Sequence, residues 1–346
     1  MLFGWRKVGP RLHFSATIMV ALGTLNSSFW VIAANSWMHT PAGAVLEGGR
    51  FVVEDWWAVI FNPSMPYRLI HMLLASFLTT SFVLAGVSAW FLLRKQQLPL
   101  ARVGLSVSLL AAAVLAPAQV VMGDLHGLEV KEYQPVKLAA MEGLWETTRG
   151  APLLLFAIPD EEARANHYEV GIPNVGSLIL AHEWDGEIAG LQAFPEELWP
   201  NVPLVFWSFR LMVGIGLLFV AVAAYGLLQR WRGRLYQDAW LHRACVAVAP
   251  LGFVATISGW VTAEVGRQPF TVHGLLTTMD SISPISPVEV ATSLIAFVVV
   301  YGALFAAYLF YLAKLVRRGA NYDEALPERL AQHVRTPRTA VAASSG

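Results

Sequence analysis

The sequence predicts an all-α integral membrane protein of six transmembrane helices, with both termini cytoplasmic and one long external loop. Three observations carry this reading. Of 346 residues, 56% are hydrophobic and only 14% are charged, where a soluble domain carries about a quarter charged. Six stretches reach the roughly 20 apolar residues that a helix needs to cross the hydrocarbon core. They are Phe14–Ala34, Leu69–Leu93, Val103–Met122, Leu204–Leu228, Ala244–Ala263 and Val290–Ala313. Finally, the N-terminal segment, the second and fourth connections and the C-terminal tail hold 16 of the 24 Lys and Arg residues. Their only acids are Asp238, Asp323, Glu324 and Glu328. The positive-inside rule puts these segments in the cytoplasm, and an even number of spans agrees with that independently.

Each element follows from its local sequence. The first span lies behind Arg6, Lys7 and Arg11 and is not closed by a small-residue cleavage site, so it reads as a membrane helix and not a signal peptide. Residues 1–122 hold three spans. The third carries Pro117, which a membrane helix tolerates where neighbours satisfy the freed backbone groups. Residues 123–203 form an external loop with 14 acids against Lys131, Lys137, Arg149 and Arg164. Pro159 and Pro173 mark turns there, and Pro135–Thr147 reads as a short helix. Residues 204–315 hold the last three spans, with Pro250 in the fifth. Residues 316–346 are polar and basic and read as a disordered tail. A net charge of zero gives no general attraction to nucleic acid. The lone Cys245 excludes an internal disulfide and a cysteine-held metal cluster. No Walker loop, dinucleotide fingerprint or serine–histidine–acid signature is present.

Ionisable groups at span ends are candidates for function. His71 opens the second span, Arg210 and Met212 open the fourth, and Glu264 and Arg267 close the fifth. All five fall on the side of the acidic loop. Each has a plain structural explanation: His71 as an interfacial hydrogen-bonding residue, Met212 as packing, Glu264 and Arg267 as a three-residue-spaced ion pair. Their shared depth supports a second explanation. His71 and Met212 enter from one surface on different helices, and such a pair can hold a low-spin haem iron from both faces. Arg210 would then neutralise a propionate. Asn35 and His39 lie at the outer end of the first span. His13 reads as interfacial, and His126, His167 and His182 as solvated loop residues.

Gly266-Arg267-Gln268-Pro269-Phe270, preceded by Trp260 and Glu264, resembles a signature of cytochrome bd-type quinol oxidase subunit I. Phe3-Gly4-Trp5, Val20–Thr24 and Ala34–Met38 resemble that family's fourth helix. Lys137–Glu142 with Trp145-Glu146-Thr147 resembles its quinol loop, and Phe209–Met212 its haem-ligand helix. The matches keep their order from about residue 3 to 315.

This resemblance implies that His71 and Met212 are the axial ligands of a low-spin haem b, and that Lys137 and Glu142 act on quinol. It implies that Glu264 ligates a high-spin haem b beside haem d, with Arg267 and Trp260 steadying that pair. The implied activity is oxidation of quinol at the outer face and reduction of dioxygen to water. The setting is the bacterial plasma (inner) membrane, with an integral subunit II, a small single-span subunit and membrane lipid as partners. The family subunit has nine spans and the resemblance covers the last six. Three preceding spans, and the histidine for haem d, are therefore expected outside this chain. The loop lacks a long insertion and fits the short-loop subgroup. A non-catalytic haem b electron-transfer relic of the family is the alternative. A transporter ranks last, because the charges lie at one membrane edge and no internal repeat is visible.

Overall fold

A computed structural model describes residues 8–319. The Phe3-Gly4-Trp5 match, and all of the tail beyond Gly319, lie outside the described residues. The described residues begin with α1 (Pro10–His39), a small hairpin of β1 (Ala44–Glu47) and β2 (Arg50–Val53), the turn helix α2 (Trp56–Ile60) and α3 (Met65–Leu93). Helix α4 (Leu98–Tyr133) follows, then α5 (Pro135–Glu142). The loop continues through β3 (Thr148–Arg149), β4 (Leu153–Asp160), β5 (Ala165–Ile172), α6 (Val175–Ala181) and β6 (Glu187–Ile188). After two 3-10 turns, Leu191–Ala193 and Glu196–Leu198, come α7 (Val202–Trp231), α8 (Ala239–Val248), α9 (Leu251–Val265), β7 (Phe270–Val272), β8 (Leu276–Thr277) and α10 (Pro287–Arg318). Among the described residues, six helical segments are long and apolar enough to cross a membrane, α2–α3 and α8–α9 each counting as one. All six correspond to the spans read from sequence.

The ends of these helices have identifiable causes. Asn201 accepts the Leu204 N–H at the start of α7, and Asp238 accepts that of Leu241 at the start of α8. Ser286 and Glu289 form a reciprocal capping box on α10. Pro250 separates α8 from α9 because it has no N–H to give the ladder. Helix α10 continues to Arg318, so the helical part of the chain enters the segment read as a disordered tail by a few residues.

The largest departure is at the end of α4. The sequence reading closes this span at Met122 and begins a loop at Gly123, whereas the helix runs to Tyr133. Loss of hydrophobicity does not end a helix. The stop comes at Gln134, which adopts φ −139° and ψ 58° ahead of Pro135, as the crowding of a following proline ring requires. His126 therefore lies on a helix and not in a solvated loop. The loops also carry short antiparallel pairs, β1–β2, β3–β6, β4–β5 and β7–β8, that the sequence reading does not anticipate.

The membrane core is built by α3, α4, α7 and α8 around Phe82, Leu105, Phe219, Leu241 and Cys245. Phe82 and Phe219 stack at 4.0 Å. Small residues let the helices approach closely, as expected where lipid offers no hydrophobic drive between them. At Gly252 of α9, an added Cβ would come within 2.6 Å of the Thr79 hydroxyl on α3. Gly252→Leu is accordingly expected to lower the thermal midpoint in detergent, since overpacking costs about 1–3 kcal/mol. Gly302→Leu, where no atom lies within 4 Å, is expected to leave it unchanged. A second core joins α5 to the first turns of α7 through Leu138, Ala139, Ala140, Leu191, Val202 and Val205. This second core fixes the loop against the helices that carry the candidate residues.

Candidate functional site

Helix α5 is short, but it sets the site. Lys137 and Glu142 lie five residues apart on it, so at about 100° per residue they point to different sides. Both are buried, 3% and 4% exposed, although they belong to a polar loop. Gly143, at φ 67°, ends the helix in a left-handed turn, with the Phe206 ring 3.1 Å from where a Cβ would sit.

Lys137 reaches toward α1 and α9. Its ammonium donates to Gln134 Oε1 and lies 3.0 Å from His39 Nδ1. Its stem lies against Gly266, where a Cβ would meet Lys137 Cγ at 2.8 Å. Glu264 is held beside it. Oε1 accepts from Asn35 Nδ2 at 2.8 Å and Oε2 from Arg267 Nη2 at 2.7 Å, and His39 Nε2 stands 3.7 Å from Oε1. Arg68 donates to Asn35 Oδ1 at 2.8 Å. The cluster thus gathers Arg68, Lys137 and Arg267 beside Glu264, and Glu129 acts as a second carboxylate on Arg68 and Lys137. Burial, followed by the neighbouring Arg68 guanidinium, pushes the Lys137 ammonium well below the ordinary lysine value. Arg68 Nε, Arg267 Nε and Arg267 Nη1 are buried with no hydrogen-bond partner. Buried guanidinium donors are costly to leave unpaired, and they fit an anionic group such as a haem propionate.

Glu142 faces α7. Its Oε2 accepts from Arg210 Nη2 at 2.7 Å. The same guanidinium donates to Met141 O at 3.2 Å and to Leu154 O at 2.5 Å. Arg210, expected beside a propionate, is here engaged by the loop through Nε and both terminal nitrogens.

His71 lies on α3 facing α4. Its Nε2 accepts from Gln119 Nε2 at 3.0 Å, and its ring centroid is 5.6 Å from that of His126. Nδ1 is buried without a partner. The lone pair at Nε2 is the one an iron would take. Met212 faces α9, its sulfur 2.7 Å from the Cβ position of Gly259. No contact joins His71 to Met212. Trp260 is half-buried on α9, one turn before Glu264. A neutral imidazole, a thioether and a carboxylate are donors that haem iron accepts, and they fit the groups implied by sequence.

Four residues escaped the sequence reading as site members. Arg68 is three positions before His71 on the same helix, a spacing that could have drawn notice. Glu129 was hidden by the early end assigned to α4. It is buried, accepts from Ser64 Oγ, and lies 3.7 Å from His126. Gln134 and His126 were missed for the same reason. His167 and His182 are exposed, as read.

A helical membrane protein with iron-donor side chains and orphaned buried guanidinium groups defines a class, that of membrane proteins built around an acidic prosthetic group. Comparison with known proteins narrows it. The cytochrome bd terminal oxidase subunit I family pattern matches residues 1–320. Cytochrome bd ubiquinol oxidase subunit 1 of Bacillus subtilis (strain 168) is 33% identical, over 93% of this chain and 71% of that protein. Cytochrome bd-II ubiquinol oxidase subunit 1 of Escherichia coli (strain K12) is 26% identical, over 92% of this chain and 75% of its own. The solved bd oxidase from Geobacillus thermodenitrificans superposes with a TM-score of 0.81 at 32% identity, covering 92% of this chain and 73% of that one. The chain belongs to the cytochrome bd terminal oxidase subunit I family. It is thus an oxidoreductase subunit of a haem-containing respiratory terminal oxidase, and a multi-pass membrane protein.

Proposed function

We propose that this chain oxidises quinol at the outer membrane face and delivers the electrons to a site that reduces dioxygen to water. The observation that carries this reading is the Arg210–Glu142 pair. It ties the loop to α7 two residues before Met212, so the proton acceptor and the haem-ligand helix share one anchor. Arg210 orients the Glu142 carboxylate, and Glu142 accepts a quinol proton. Lys137 acts from the same loop as a hydrogen-bond donor, at the end that meets His39 and Glu264. His71 and Met212 would hold a low-spin haem b. Glu264 would hold a high-spin haem b, with Arg267 and Trp260 beside it, in an oxygen site that also takes haem d. Bound haem supplies one-electron transfer and oxygen chemistry. In this reading both termini are cytoplasmic in the bacterial plasma membrane, and subunit II and a small single-span subunit are the protein partners.

Glu142→Ala tests the assignment in the assembled oxidase. Haem reduction by quinol is expected to slow about 100-fold, the lower range for a positioned proton acceptor. Reduction by dithionite should give an unaltered spectrum. Unchanged quinol-driven reduction would return Glu142 to a purely structural partner of Arg210.

A further inference from the structure

The β4–β5 hairpin runs alongside the first turns of α7, and its chemistry changes with depth. At its tip, Glu161 Oε1 accepts the Val202 N–H at 2.7 Å, level with the first residue of α7. Further along β4, the Phe156 ring meets the Trp207 ring edge-on at 5.1 Å. Further still, Leu154 O accepts from Arg210. Trp207 is five residues into α7, about 8 Å below Val202 at ~1.5 Å per residue. It also lies inside the apolar stretch that begins at Leu204. The base of the hairpin is therefore at the depth of the membrane boundary and its tip is outside it.

The polarity follows the same axis. The tip, Asp160 to Arg164, carries Asp160, Glu161, Glu162 and Arg164. The deeper part is apolar on its outward face. An irregularity between Leu154 and Phe156 lets Leu154 turn inward onto Phe206 while Phe156 turns outward opposite Val170. Leu155, Phe156, Val170 and Ile172 are all exposed. They continue the lipid-facing surface of α7, where Leu204, Trp207 and Leu211 are exposed. Contiguous apolar surface of this kind marks an interaction site. A charged tip in water above an apolar, Trp-flanked base matches the headgroup region. The open strand edges exclude the hydrocarbon core itself.

We propose that the outward face of the β4–β5 hairpin lies in the headgroup–acyl boundary of the membrane and binds phospholipid there. The contact bears on the loop, because Asn166 of β5 donates to Gly143 O at 2.9 Å and accepts from Trp145 Nε1 at 2.9 Å. Lipid under the hairpin thus supports the segment that carries Glu142.

The sole cysteine, Cys245, is fully buried, so single introduced cysteines can be spin-labelled selectively. Val170→Cys and Ile172→Cys place labels on the apolar face, and Ala163→Cys places one at the tip. The full chain is reconstituted in phosphatidylethanolamine–phosphatidylglycerol vesicles, and collision rates are measured with oxygen and with a water-soluble nickel chelate. The oxygen-to-chelate ratio at 170 and 172 is expected to exceed that at 163 several-fold. An equal ratio at all three sites overturns the proposal in favour of a solvated hairpin. Labels at 170 and 172 shielded from both reagents overturn it in favour of a covering protein.

Discussion

Exchange of His71 for Ala, or of Met212 for Leu, is expected to abolish the low-spin haem spectrum of the complete subunit. A low-spin haem would need both donors, and no neighbouring side chain stands ready to replace either. The nearest imidazole, His126, sits 5.6 Å from His71 ring to ring but on α4, and leucine offers no lone pair at the α7 position. Met212→Leu keeps the volume that packs on Gly259, so its cost in packing is below about 1.5 kcal/mol. The reduced-minus-oxidised spectrum, read with total haem by pyridine haemochrome, separates lost ligation from lost folding. An unaltered low-spin band in both variants would remove the two residues from the haem.

Glu264→Gln is expected to release about one haem equivalent from the complete subunit while leaving the His71–Met212 band intact. Glutamine retains an oxygen for Asn35 Nδ2 but not the charge that Arg267 meets at 2.7 Å. With Arg68 and Lys137 close by, the cluster would then lose the charge that faces Arg267 and keep Glu129 as its remaining acidic neighbour. If Glu264 and Arg267 serve only as a structural pair, the loss is small. Glu264 is 35% exposed, and pairs of that kind contribute about 1 kcal/mol or less. Haem-to-protein ratio and thermal midpoint, measured together, distinguish the two: full haem content with a slightly lower midpoint would falsify the ligand role.

The spans were legible because lipid demands length and apolarity, and both are local properties. The depth of His71, Met212 and Glu264 was legible for the same reason, since each stands near a span end. What could not be read were the partners that long loops bring together. Asn35 meets Glu264 across 229 positions, and nothing local to either residue announces the other. The burial of Lys137 was hidden too, because a lysine in an acidic loop carries no mark of the gap that Gly266 leaves for it. At α4 a single criterion misled. Hydrophobicity locates where a helix leaves the membrane, whereas Pro135 determines where it stops. That difference concealed Glu129 and Gln134 and made His126 look solvated.

The eight residues of α5 work as a fixed gauge between Gly266 on one side and Arg210 on the other. One inserted residue between Lys137 and Glu142 would swing the carboxylate about 100° around the axis, away from Arg210, while Lys137 stayed under Gly266. Length changes in this loop are therefore permissible at the hairpin tip around Glu162 and forbidden inside the helix. A collection of natural variants should show gaps at the first place and none at the second, whatever the divergence of the surrounding sequence.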